Sequence, residues 1–189
     1  MRKKIREGFA TIAGLLSTYA GYSSGGLYYL HEKAHELAAS LVYETTKFKT
    51  EIGSNINILE AGENSRTYLL NPNSEFHFNE TGKFLGSKLS DAVYTAGGPI
   101  FDMSLAFGLY FAGHRLRHRP DVSRMLKASS FVPYALNVMR SAATNLGIES
   151  KIQDDVARFV GQTNLNPAIP LLFFALPLPL LHLYYYMKK

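Results

Sequence analysis

The sequence predicts an all-α, polytopic membrane protein with about four transmembrane helices and a small β-containing insert between the first and second. Three observations carry this prediction. Four long windows are nearly free of charge: residues 8–30 carry none, 92–113 only Asp102, 128–148 only Arg140, and 159–187 none. A helix needs about 20 mostly apolar residues to cross the hydrocarbon core of a bilayer. Between the first two windows, residues 44–91 turn polar, and the basic residues gather in the segments that an even number of crossings leaves on one side.

The expected helices cover about 9–43, 92–114, 126–147 and 166–187, all in one domain spanning 1–189. A soluble bundle with buried helices is the alternative, since apolar runs alone do not separate the two. The last window argues against it, because Pro170-Leu-Leu-Phe-Phe-Ala-Leu-Pro-Leu-Pro-Leu-Leu offers no polar face to water. Membrane helices tolerate such prolines where neighbours satisfy the freed carbonyls. The opening Met1-Arg-Lys-Lys-Ile-Arg followed by an apolar run has the form of a signal peptide. The same run leads into the chemically loaded motif described below, so it reads as an uncleaved anchor. Gly21, Gly25 and Gly26 leave open whether the stretch makes one crossing or a tight helical hairpin.

The insert 44–91 holds seven acids and five bases, and its Asn-Pro, Thr-Gly and Gly-Glu-Asn steps are turn signals. Asn55-Ile-Asn-Ile-Leu and Arg66-Thr-Tyr-Leu-Leu are its expected strands. Residues 114–127 form a basic loop of net charge +4, and 149–158 a short acidic one. Basic loops favour the cytoplasmic side. Four crossings place the N-terminus, the 114–127 loop and the C-terminus together, with both acidic loops opposite.

Composition removes other classes. The 189-residue chain has no cysteine, which excludes a disulfide scaffold, a thiol nucleophile and Cys-ligated metal. The net charge of +5 flanks apolar segments and forms no basic face with interleaved aromatics, so nucleic acid is not an expected partner. The expected surroundings are the lipid bilayer and a membrane-protein substrate.

Chemistry concentrates in His31-Glu32-Lys33-Ala34-His35. Residues four apart share a helix face, so His31 and His35 can present two imidazoles to one Zn2+ ion. Glu32 is placed to act as general base on the attacking water and then as proton donor to the leaving amine. A bland reading is a charged helix surface, but the cluster follows 23 uncharged residues, and ionisable groups at membrane depth are costly and usually functional. Catalytic zinc needs a third protein ligand and an open position. Asp154 and Asp155 are the candidates, on the motif's side of four crossings; otherwise they form a solvated pair or cap the following helix. Asp102 is the other candidate, or a partner of Arg140.

The order of these features resembles the site-2 protease family of intramembrane zinc metallopeptidases. The resemblance spans roughly residues 25–160. It rests on HExxH in an early helix, a β-like insert, Ala96-Gly97-Gly98-Pro99-Ile100-Phe101-Asp102 opening a second helix, and a third helix leading through Asn145 to Asp154-Asp155. Asp102 stands where the family usually has asparagine, and the family's late Asp-Gly step is here Asp-Asp followed by Val156. The resemblance implies an intramembrane zinc metalloendopeptidase: His31, His35 and Asp155 or Asp154 as metal ligands with Asp155 favoured, Glu32 as catalytic base, and Asn145 and Asp102 binding substrate or supporting the ligands. The second function class is a non-proteolytic metal-binding membrane protein or assembly partner. Of the other histidines, His77 reads as a surface residue, His114 and His118 as lipid-headgroup contacts, and His182 as part of an interfacial aromatic belt with Tyr184-Tyr-Tyr.

Overall fold

A computed structural model describes residues 2–44, 47–58, 64–70, 77–147 and 155–188. It is mostly helical with one two-stranded sheet. The helices are α1 (Arg2–Ser23), α2 (Gly26–Ser40), α3 (Glu80–Arg115), α4 (Pro120–Ser129), α5 (Phe131–Asn145), α6 (Asp155–Thr163), α7 (Ala168–Ala175) and α8 (Pro177–Met187). The strands β1 (Lys47–Glu51) and β2 (Arg66–Leu70) pair antiparallel, with Thr50 opposite Thr67.

The helix expected over 9–43 is two helices. Gly25 sits at φ 82°, a left-handed conformation that an L side chain resists, and it ends α1. The chain does not fold back there. Glu7 pairs with Arg124 at one end of the molecule, Tyr22 reaches Asp102 in the middle, and Val42 meets the start of α3 at the other end. Thus α1 and α2 form one bent rod, and the hairpin alternative falls.

The expected third helix is also broken, at Ser130. Pro133 lacks the N–H that would bond the Ser129 carbonyl, and its ring crowds that carbonyl. Half of the expected basic loop is in fact helix α4, which starts on Pro120 at its first turn. The expected second helix begins earlier, at Glu80, and bends at Gly86 (φ 75°), so residues 80–91 of the insert are helical. Asn79 caps it by accepting from the Gly82 N–H at 2.9 Å. Arg66–Leu70 is a strand as expected, whereas its partner is Lys47–Glu51 and not 55–59.

Seven of the described helices run as four rods, α1–α2, α3, α4–α5 and α7–α8, and the short α6 packs on α3. Gly113 contacts Ser123 while Asp102 lies beside Asn137, so α3 and α4–α5 are antiparallel. Tyr134 donates to the Ala175 carbonyl and His182 meets Tyr110, which returns α7–α8 to the end from which α1 starts. Arg6 pairs with Asp121, Arg124 with Glu7, and the His114 ring stacks on Tyr185. The N-terminal, 114–127 and C-terminal segments therefore meet at one end of the molecule. Among the described residues, one helical stretch, Ala168–Met187, is long and apolar enough to cross a membrane by its own length and composition (mean hydropathy 1.6).

Candidate metal centre

The site forms where α2, α3 and α6 meet, and its first requirement is close approach of α2 and α3. Gly97 and Gly98 allow this. A Cβ at Gly98 would overlap the imidazole tips of both His31 and His35, and one at Gly97 would meet the Ala34 carbonyl. The Ala-Gly-Gly-Pro step lies in the middle of α3 and not at its start, so it acts as a flat seat for α2.

His31, Glu32 and His35 are all buried on one face of α2. One ligand atom from each lies within 4.8 Å of the others. Each imidazole is fixed through its inner nitrogen. His31 Nδ1 donates to Asp102 Oδ2 at 3.0 Å, and His35 Nδ1 donates to the Tyr94 carbonyl at 2.8 Å. Both Nε2 atoms converge on Asp155 Oδ2, at 3.2 and 3.3 Å. Asp155 opens α6, 124 residues from His31 and 120 from His35.

These contacts test whether a metal fits. A carbonyl only accepts, so the Tyr94 contact assigns the His35 proton to Nδ1 and leaves Nε2 as a lone pair. That lone pair faces a carboxylate oxygen, which also only accepts. Two acceptors at 3.3 Å need a cation between them, either a proton or a metal. Tetrahedral zinc with bonds of about 2.0–2.1 Å sets its ligand atoms about 3.3–3.4 Å apart, which is the spacing found. The set of two imidazoles and one carboxylate leaves a fourth position for water. The residues fit Zn2+.

Asp102 is fully buried and holds a network behind His31. Its Oδ1 accepts from the Tyr22 hydroxyl at 2.8 Å, Oδ2 accepts from Asn137 Nδ2 at 3.5 Å, and Arg140 Nη1 lies 4.0 Å away. Asp102 thus orients a histidine and also faces Arg140, so two of its expected roles coexist. Asn145, expected at the site, is exposed at the C-terminal end of α5. Asn137 is the asparagine beside Asp102. Its polarity inside an apolar window, one helical turn before Arg140 and Ser141, is the signal that would have found it. Asp154 lies outside the described residues. His77 is exposed, as expected, and His182 bonds the Tyr110 hydroxyl at 2.8 Å.

The sheet docks on the same face. Thr67 Oγ1 donates to the Glu32 carbonyl at 3.3 Å, the Tyr94 hydroxyl donates to the Thr67 carbonyl at 2.9 Å, and Thr50 donates to Glu36 Oε1 at 2.5 Å. Tyr22, Tyr94 and Thr67 were not singled out from sequence. No protein-family model, curated protein or solved structure matches this chain.

Proposed function

We propose that the protein is an intramembrane zinc metalloendopeptidase of the site-2 protease type, hydrolysing peptide bonds of membrane-spanning substrates. The observation that carries the reading is the convergence of His31 Nε2 and His35 Nε2 on one Asp155 oxygen, with each opposite nitrogen already anchored. Zinc, when bound, supplies Lewis acidity toward the scissile carbonyl and lowers the pKa of water to about 7. His31, His35 and Asp155 hold it. Glu32 takes a proton from the attacking water on its carboxylate and returns it to the leaving nitrogen. Asp102 and the Tyr94 carbonyl keep both imidazoles in the tautomer that presents Nε2. A substrate segment unwound to an extended strand pairs with an edge of the β1–β2 sheet, which is already joined to α2 at Glu32.

Multi-pass membrane insertion is part of the proposal, with α1–α2, α3, α4–α5 and α7–α8 as the crossings. Its support is an inverted distribution of polarity. The interior holds Thr18, His31, Glu32, His35, Thr95, Asp102 and Asn137, while Phe9, Ile12, Leu16, Phe173, Leu176 and Leu180 point outward. Apolar side chains exposed in this number are unfavourable in water and expected against lipid. The test is cleavage of a panel of single-span substrates by wild type and by Glu32→Gln, with zinc content measured beside a His31→Ala control. Cleavage by wild type alone, with zinc kept in Glu32→Gln and lost in His31→Ala, supports the peptidase. Equal cleavage by wild type and Glu32→Gln overturns it.

A further inference from the structure

We propose that the groove among α1, α4, α5 and α8, at the end of the molecule remote from the metal centre, binds an anionic phospholipid. The cavity measures about 840 Å³ and opens to the outside. Its walls come from Leu15, Phe131 and Leu178, and its polar end from Lys127, Arg124 and His182. That division matches an acyl chain and an acidic headgroup. The apolar surface does not stop at the cavity. A second one, of about 310 Å³ and lined only by apolar residues and Tyr19, shares Leu15 and Phe131 and continues between α1 and α5. A chain lying in the groove therefore has an apolar track leading away from the basic end.

Charge complementarity selects the headgroup. Lys127 and Arg124 are the basic residues that line the groove, and Lys4 and Arg6 belong to the same end of the molecule. The local contacts hold the polar groups in place. Lys127 Nζ lies 5.6 Å from the Tyr110 ring centroid, the Tyr110 hydroxyl meets His182 at 2.8 Å, and Arg124 pairs with Glu7 at 3.0 Å. Lys127, His182 and Arg124, the last shared with Glu7, are the lining residues that can meet a phosphate. Juxtamembrane basic clusters attract anionic lipids in the same way. The groove contains no residue of the metal site, so this inference shares with the peptidase reading only the bilayer.

The experiment is thermal melting of the full-length protein in neutral detergent, with added phosphatidylglycerol or with phosphatidylcholine of the same acyl chains. Phosphatidylglycerol is expected to raise the midpoint by about 2–4 °C more than phosphatidylcholine. Lys127→Gln should remove most of that difference. Arg117→Gln, which deletes an equal charge from an exposed site outside the groove, should keep it. Leu183→Trp, at a half-exposed position on the groove wall, fills the space and should reduce the response to phosphatidylglycerol. Each variant is referred to its own midpoint without lipid, and soluble glycerol phosphate should leave every midpoint unchanged. Equal shifts with the two lipids, equal effects of Lys127→Gln and Arg117→Gln, or a matching shift with glycerol phosphate would overturn the proposal. The lipid difference should persist in Glu32→Gln and after chelation, which separates its failure from failure of the peptidase reading.

Discussion

The α2–α3 interface and the α7–α8 arm are built on opposite rules. At the first, two helices approach through Gly97 and Gly98 and bury imidazoles, carboxylates and hydroxyls between them. At the second, two helices without a charge up to Met187 leave Ile169, Leu172, Phe173 and Leu180 facing outward. A buried charge needs partners, because its desolvation is expensive, and Asp102 has Tyr22, His31, Asn137 and Arg140 around it. An outward leucine needs only an apolar solvent. The polar interior thus supplies specificity of geometry, while the apolar exterior is the surface that the proposed bilayer would cover.

The comparison breaks first if the polar interior is not catalytic. Glu32→Gln is expected to lower peptide cleavage by about 10²–10⁴-fold, the usual range for a proton-transfer group, while zinc content stays at the wild-type level. Single-turnover cleavage and metal analysis on the same sample read both.

The ligand set gives the next effect. Asp155→Ala should abolish both zinc retention and cleavage, and Asp154→Ala should do less. Asp102→Ala should weaken zinc affinity by about 10–100-fold without abolishing binding, as removal of a ligand's supporting partner does. Competition with a chelating dye orders the three. Full zinc in Asp155→Ala, with loss in Asp102→Ala, would reverse the assignment of ligand and support.

Gly98→Ala tests the close approach directly. Its methyl group collides with both imidazoles, and overpacking of this kind costs about 1–3 kcal/mol. A lowered melting midpoint with reduced zinc uptake is expected, whereas the same substitution at Gly108, where nothing lies within 4 Å, should lower neither and should slightly raise the midpoint through helix propensity.

The smallest effects probe the outside. The protein should remain in the membrane fraction after carbonate extraction. Cysteines placed at Ile56, which is 85% exposed, and at exposed Arg117 should be labelled from opposite sides of the membrane. Labelling from one side would remove the four-rod crossing while leaving the metal centre intact. Thr67→Val deletes the hydroxyl's bond to the Glu32 carbonyl, and a loss of about 0.5–1.5 kcal/mol in chemical denaturation measures how firmly the sheet is held to α2.

What the sequence made legible follows from periodicity and rarity. His31 and His35 share a helix face because 3.6 residues make a turn, and their burial together needed no tertiary information. Asp102 stood out as a lone charge in an apolar window. Asp155 was favoured over Asp154 through its place before the next helical run, and it starts α6. The Tyr94 carbonyl was not legible, since every residue carries a carbonyl and only the fold selects one. The resemblance points to Asn145, yet the face of α5 that packs on α3 carries Asn137. The break at Gly25 was visible as a glycine but not as a bend. That at Ser130 depends on a proline three residues later, which a window average does not register.

The span between His31 and Asp155 also sets an order of events. Two of the three donors, and the base beside them, lie within five consecutive residues of α2, whereas the third arrives 120 residues after His35. Local segments form fast, and contacts across long separations form late because loop closure must come first. A growing chain therefore holds the histidines and Glu32 long before it holds the carboxylate that completes the set. Two imidazoles alone bind zinc weakly, so on the proposed ligand assignment the nascent polypeptide has no complete metal set until α6 has been made and docked on α3.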